Sequence, residues 1–124
     1  MADTKEYLVQ PLENGSIQIS ADVIASIAAF AVREIEGVYG LSLTQSFDIS
    51  AILGKKNLRK GIHVILKGEE MEISCNLIVH MGYAVMEVAR KVQDAIASEV
   101  EDMTGKRPDR VNVNVCAVAV PKTK

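Results

Sequence analysis

The sequence predicts an α+β domain, a two-layer sandwich in which two amphipathic helices cover one face of a mainly antiparallel sheet. Apolar residues recur at helical spacing over residues 21–36, with Val23 on the predicted core face, and over residues 85–103, from Val85 to Met103. They alternate with polar residues over 62–80, and again in the Val-Asn-Val-Asn-Val run at 111–115. This gives a β-α-β-β-α-β-like order. Placing both helices on one side of the sheet would bury every apolar stripe.

Length and composition fit one soluble domain. The chain has 124 residues, of which 48% are hydrophobic, and a formal net charge of −2. We expect a flexible tail over residues 1–14 and one domain over residues 15–120. No apolar stretch approaches the roughly 20 residues that span a bilayer, and the N-terminus lacks a signal-peptide pattern. The sequence therefore predicts a cytoplasmic protein without direct membrane insertion.

The first helix has clear start and stop signals. Ile17 and Ile19 alternate with polar neighbours and predict a short strand before it. Ser20 is a suitable N-cap, and Ile19 and Ile24 occupy the two positions of a hydrophobic staple. Gly37 is placed to end this helix, and Gly105 is placed to end the second helix.

A hairpin is predicted around Gly68-Glu69, a dipeptide that suits a two-residue turn with glycine first. That turn pairs Lys67 with Glu70, which are oppositely charged, and Val64 with Ile73. In this register the apolar residues of both strands share one side. A slip of one residue would send one set to solvent.

Two helices on one side of the sheet leave its opposite face open. The last strand continues the alternation, so its polar residues also lie on that open face. Between the first helix and the hairpin, residues 42–60 show little periodicity and are predicted to form a long loop. The open face mixes amides with Ile65, Ile78 and Val118, a composition typical of a protein interface. Its predicted interface residues are His63, Ile65, Ser74, Asn76, Ile78, Asn112, Asn114 and Cys116.

Catalytic and metal-binding patterns are not found in the sequence. Cys75 is predicted to face the core, and Cys116 has no local activating motif, so both cysteines are interpreted as reduced and structural. His63 and His80 lack the close ligand spacing of zinc sites. No glycine-rich phosphate motif occurs. We therefore expect a non-enzymatic protein with no cofactor and no metal.

A basic, glycine-bounded segment offers the alternative function, an RNA- or phosphate-binding module. Residues 54–61 hold four cations, and a second basic cluster follows the second helix. The negative net charge and the scarcity of aromatic residues oppose nucleic-acid binding. The candidate anion- or partner-binding residues are Lys55, Lys56, Arg59, Lys60, Lys106, Arg107 and Arg110.

Two blocks of sequence carry a resemblance to a known family. The first runs from Gly15-Ser16-Ile17 through Glu34-Ile35-Glu36-Gly37-Val38, and the second from Val88-Ala89-Arg90-Lys91-Val92 through the Val111–Val115 strand. Together they resemble the alkaline-shock, or envelope stress response, family of Gram-positive bacteria. The segment His80-Met81-Gly82-Tyr83 departs from the family pattern, which commonly places an Ile-Pro before the second helix.

The resemblance implies a cytoplasmic, stress-related scaffold without catalytic residues. Some family members self-assemble and lie beneath the membrane through a membrane-anchored partner. For this chain it therefore implies a homo-oligomer and protein partners in cell-envelope homeostasis, including an anchored one, with location at the membrane only through that partner. Nucleic acid is not an expected partner.

Overall fold

The computed structural model describes residues 7–42, the backbone of 58–59, and residues 61–121. Two helices pack on a sheet built mainly of antiparallel pairs, as the sequence predicts, and a separate hairpin precedes them. In chain order the elements are β1 Tyr7–Leu12, β2 Gly15–Ser20, α1 Ala21–Arg33, β3 Val38–Leu41, β4 Leu58–Arg59, β5 Ile62–Lys67, β6 Glu70–His80, α2 Val85–Thr104 and β7 Arg110–Ala119.

Helix α1 begins where the sequence indicates. The main-chain N–H of Val23 donates to Ser20 Oγ at 3.2 Å, so a side chain satisfies one of the unpaired N–H groups of the first turn. Ile24 and Ile27 are buried, but Val23 is 48% exposed. The prediction that Val23 faces the core is therefore wrong.

Helix α1 ends at Arg33, three residues before the predicted end at residue 36. The N–H groups of Glu34 and Ile35 donate to carbonyls three residues back, at 3.3 and 3.1 Å, which tightens the chain into a turn. Gly37 then has φ 97°, and a Cβ there would lie 2.8 Å from a Val88 methyl group. The turn thus brings backbone, without a side chain, against α2.

Residues 7–12 form strand β1, which corrects the predicted tail over residues 1–14. β1 pairs antiparallel with β2, from Tyr7 opposite Ser20 to Leu12 opposite Gly15. This is a separate two-stranded sheet, so the strand predicted at Ile17 and Ile19 does not join the main sheet. Leu8 is buried in the core. Tertiary packing therefore holds a segment whose polar composition suggested a frayed end.

The main sheet is organised around β6. One edge of β6 pairs antiparallel with β5 over its first half and with β3 over its second half. The other edge pairs in parallel with β7, and β4 extends the sheet beyond β5. Helix α2 connects β6 to β7, as a parallel pair requires a long crossover.

The predicted β5–β6 hairpin is confirmed residue by residue. Lys67 pairs with Glu70 and Val64 with Ile73, and Gly68 has φ 59° at the turn. Burial alternates strictly along β6, so one face of the strand packs under the helices. Val64 and Ile73 are fully buried, and Val113 packs against the same core.

Helix α2 keeps its predicted apolar stripe between its ends. Val88, Val92, Ile96 and Val100 are buried. Val85 and Met103, assigned to the same stripe, are 37% and 62% exposed because they lie in the first and last turns. The helix ends at Gly105, whose φ of 85° is the left-handed C-terminal conformation that the sequence predicts there.

A bulge in β7 shifts the alternation near its end. Leu77 lies opposite Val115, but Ile78 lies opposite Ala117, so Cys116 is the extra residue. Beyond the bulge, Val118 lies beside Val79, whose side chain is buried on the helix side. Val118 therefore does not belong to the open face to which simple alternation assigned it.

Candidate interaction surface

The sheet face turned away from the helices is defined by the residues that alternate with the core. On β5 and β6 these residues lie between fully buried neighbours, which fixes their direction. Each is half-buried rather than exposed. Seven of the eight residues predicted from sequence lie together on this face: His63, Ile65, Ser74, Asn76, Ile78, Asn112 and Asn114. The eighth, Cys116, is the bulge residue of β7, and its thiol neighbours that of Cys75. Their role as an interface remains a prediction.

Amide side chains link β6 to β7 across the middle of this face. Asn114 Nδ2 donates to Asn76 Oδ1 at 3.2 Å, and Asn112 Nδ2 donates to Glu72 Oε2 at 2.8 Å. A longer contact of 3.4 Å joins Asn112 Nδ2 to Ser74 Oγ. Side chains from the two parallel strands thereby hold one another in fixed orientations. Glu72 was not among the residues predicted for this face, although its alternation with Met71 and Ile73 placed it there.

Apolar side chains flank the amides at both ends of the face. Ile65 lies opposite Glu72 on the β5 side, and Ile78 lies opposite Ala117 next to the bulge. Within the eight predicted residues there is no aspartate, glutamate, lysine or arginine. Apart from Glu72, the described part of this face therefore has the low charge that is characteristic of the centre of a protein interface.

Neither cysteine forms a disulfide, and Cys75 is fully buried in the core. Burial raises the pKa of the Cys75 thiol to about 12, and the neighbouring Cys116 thiol adds to this shift. Cys75 is therefore a neutral thiol at physiological pH, and so a poor nucleophile. Cys116 is half-buried, and its Sγ lies 3.7 Å from the Asn114 carbonyl.

The second basic cluster is largely paired with carboxylates. Arg107 forms an ion pair with Glu101 at 3.0 Å, and Lys106 lies 3.8 Å from Asp109. Arg110 begins β7 next to Glu72 in the ladder. Of the first cluster, only the backbone of Arg59 is described, in β4, while Lys55, Lys56 and Lys60 lie outside the described residues. The RNA- or phosphate-binding alternative thus stays a prediction, and the pairing of Lys106 and Arg107 weakens it.

A shallow cavity of about 270 Å³ lies where the β5–β6 hairpin meets the start of β7. Its carboxylates serve the fold: Asp109 Oδ2 accepts from the Met71 N–H, and Glu72 accepts from Asn112. Cations and anions are mixed around it, so it does not select one charge. Its lining residues are Ile65, Lys67, Glu70, Met71, Glu72, Asp109 and Arg110.

An aromatic corner at the far end of β6 was missed by the sequence reasoning. The rings of Tyr39 and His80 meet edge to face at 5.4 Å, and Tyr83 lies 6.3 Å from His80. Tyr83 also donates to Glu36 Oε2 at 3.3 Å. Residues 39 and 83 are far apart in sequence, so only the pairing of β3 with β6 brings them together.

The described residues contain neither a metal-binding cluster nor a membrane-spanning helix. Within residues 7–42 and 61–121, no group of three or more histidine, cysteine or acidic side chains could hold a metal ion. In the same part of the chain, neither helix is both long and apolar enough to cross a membrane.

Fold and surface together define a small two-layer α+β domain with an amide-lined sheet face that neither described helix covers. The chain belongs to the alkaline shock protein 23 family, described as having a cell envelope-related function, whose model matches residues 10–120. The family resemblance found in the sequence is therefore confirmed.

Relatives in Gram-positive bacteria share most of their length with this chain. The uncharacterized protein YloU of Bacillus subtilis is 36% identical over 108 residues, which cover 86% of this chain and 90% of YloU. The uncharacterized protein Spy1614 of Streptococcus pyogenes is 31% identical over 112 residues, covering 87% and 91% of the two chains. Among solved structures, MamM CTD aligns with 82% of this chain at 13% identity, but its TM-score of 0.48 is too low to support an argument.

Proposed function

We propose that this protein is a non-enzymatic scaffold of the cell envelope that associates with copies of itself through the open sheet face. The observation that carries the proposal is the composition of that face. Between Ile65 and Ile78 it presents hydrogen-bonded amides, and the Glu72 carboxylate at its β5 end accepts a hydrogen bond from Asn112. Removing such a surface from water costs little free energy, because its amides are already oriented and partly hydrogen-bonded within the protein.

Self-association is tested by two lysines on this face. Ile65→Lys with Ile78→Lys would bring four added charges together at a face-to-face contact, and desolvating them opposes association. We expect the wild-type protein to increase in mass with concentration, and the double variant to form smaller species, in sedimentation velocity experiments. Gln18→Lys with Ser98→Lys adds the same charge at exposed positions on β2 and α2 and serves as the matched control.

The outcomes separate clearly. Equal association of the face variant and the control would overturn the role of this face. A wild-type protein that is monomeric at every concentration would overturn the scaffold proposal itself. Thermal unfolding of each variant shows whether the fold is retained.

Attachment to the membrane through an anchored protein partner is the second part of the proposal. Family membership supports an envelope-related role, and neither described helix suits membrane insertion. We expect purified protein to bind native membranes of a Gram-positive host and to lose that binding after protease treatment of the membranes. Binding to protein-free vesicles containing anionic phospholipid would contradict a protein anchor.

A further inference from the structure

We propose that the edge of β7 pairs with β7 of a second copy in antiparallel orientation, centred on Val113. This inference rests on the proposed self-association and assigns its first step to the sheet edge rather than the face. Among the described residues β7 pairs only with β6, so no described strand lies along its other edge.

The hydrogen-bond pattern of β6 shows which groups of β7 point outward. Asn76 directs both main-chain groups toward β3 and β5: its N–H donates to the Gly61 carbonyl and its carbonyl accepts from the Ser42 N–H, each at 2.9 Å. Alternation then turns the groups of Cys75 toward β7. In a parallel ladder, the residue opposite a bonded residue directs its own groups away. Val113, opposite Cys75, therefore presents its N–H and C=O at the edge.

The same reasoning applies to the residues two positions on either side of Val113. Val111 lies opposite Ile73 and Val115 opposite Leu77. A contact from α2 agrees independently, because Gln93 Nε2 donates to the Val111 carbonyl at 2.8 Å. Only a carbonyl turned away from β6 is readily reached in this way. The edge thus offers main-chain groups at three alternate residues.

This edge lacks the features that usually prevent strands from pairing. Charged side chains, prolines and bulges commonly protect exposed edges. Here they lie outside the central run: Arg110 precedes it, and the bulge at Cys116 follows it. Val113 and Val115 pack against the core but remain only half-buried. An added strand would cover them.

The occupant is identified by the symmetry of the run itself. Val-Asn-Val-Asn-Val reads the same in both directions, so an antiparallel copy centred on Val113 places Val111 opposite Val115 and Asn112 opposite Asn114. About four main-chain hydrogen bonds would form with unused groups, and two more would form where the Val111 carbonyl, which already accepts from Gln93, accepts a second donor. The amides also match, since Asn114 Nδ2 uses one hydrogen on Asn76 and keeps another for Asn112 Oδ1 of the copy.

Helix α2 would contribute to the same contact. Gln93 marks the flank of α2 nearest the edge, and helical spacing places Met86 and Ala97 on that flank. Met86 is 64% exposed. The two-fold axis through Val113 would bring this flank toward its copy and bury the methionine.

Edge pairing closes a dimer, whereas the open face offers a second and different contact. Two distinct contacts allow dimers to join into larger assemblies, which one two-fold contact alone cannot do. The variant with Ile65→Lys and Ile78→Lys separates them, because it disables the face and leaves the edge intact. We expect that variant to be a dimer, and a face variant that is monomeric at all concentrations would overturn the edge proposal.

Val113→Pro, added to the face variant, tests the edge directly. The N–H of Val113 is not used within the sheet, so proline is tolerated by the fold at an edge but blocks the central pair of the dimer. We expect a monomer with retained cooperative unfolding and at least a tenfold weaker dimer Kd. A dimer that survives the proline would overturn the proposal.

Charge exchange tests the register without proline. In the face-variant background, Asn112→Lys with Asn114→Lys places like charges opposite each other across the axis, while Asn112→Lys with Asn114→Asp places opposite charges there. Lysine at 112 also suits its neighbour Glu72. We expect the first pair to dissociate the dimer and the second to retain it. Equal behaviour of both pairs would overturn the register.

Discussion

Met71 and Asp109 are joined by two hydrogen bonds, each 2.8 Å long. The Met71 N–H donates to Asp109 Oδ2, and the Asp109 N–H donates to the Met71 carbonyl. This pair fixes the start of β7 against the start of β6. The parallel register that aligns Asn76 with Asn114, and so the whole amide face, begins at this clamp.

Asp109→Ala should destabilise the protein by about 1–3 kcal/mol, because the Met71 N–H would lose its acceptor in a partly buried place. Asp109→Asn is the matched control, since its Oδ1 can accept the same hydrogen bond, and we expect it to cost less than about 1 kcal/mol. Chemical denaturation measures both. Equal losses would show that the carboxylate charge, rather than the hydrogen bond, matters at this position.

Gly61 is expected to be irreplaceable. It has φ 85°, and a Cβ there would clash with the Ser42 carbonyl oxygen at the junction where β3 and β5 share one edge of β6. Gly61→Ala should cost about 2 kcal/mol or more, since both backbone strain and a backbone clash oppose it.

Gly68→Ala provides the comparison for Gly61→Ala. Gly68 also has positive φ, 59°, but a Cβ there would meet nothing within 4 Å. Only the backbone strain then opposes the substitution, so we expect the free energy of unfolding to fall by roughly 1 kcal/mol. If the two variants unfold at the same denaturant concentration, the close approach of Gly61 to Ser42 is not a constraint.

Cys75 should make the protein sensitive to alkali. Its pKa is raised from 9.0 to about 12 in the folded state, so above pH 9 the unfolded chain loses a proton that the folded chain keeps. The free energy of unfolding is therefore highest below pH 9. Between pH 9 and about 12 it falls by up to roughly 1.4 kcal/mol for each pH unit. The comparison is the free energy of unfolding of wild-type and Cys75→Ala protein across this range. The difference between them should change with pH in this direction, and a constant difference would contradict it.

The sequence predicted those features that periodicity and local turn chemistry determine. The β5–β6 register followed from one glycine turn and two apolar sets that had to face the same side, which left a single solution. The same alternation placed the outward residues of β5 and β6 on one side: His63, Ile65, Ser74, Asn76 and Ile78. Ser20 and Gly105 were recognised because the first turn of a helix has unpaired N–H groups and its last turn has unpaired carbonyls, which capping residues satisfy.

Features set by tertiary contacts could not be predicted in this way. Strand β1 contains Pro11 and follows a polar start of the chain, and it is held by pairing with β2 and by packing of Leu8 in the core. The bulge at Cys116 leaves the Val-Asn pattern unchanged, so Val118 was placed on the wrong side. The direction of β7 relative to β6 depends on the crossover through α2. Which of the described strands lies last in the sheet is likewise set by the tertiary fold.

The two helices begin differently, and that difference predicts a stabilising change. Ser20 caps α1 through its side chain, whereas Ala84 at the start of α2 makes no side-chain cap. Ala84 is exposed and has extended backbone, with φ −73° and ψ 110°, a conformation typical of a capping residue. Ala84→Ser should therefore stabilise the protein by about 0.5–1 kcal/mol. Ser20→Ala should destabilise it by about as much, and both changes should shift the denaturation midpoint without changing its slope. An Ala84→Ser midpoint equal to or below that of the wild type would show that the first turn of α2 is already satisfied in another way.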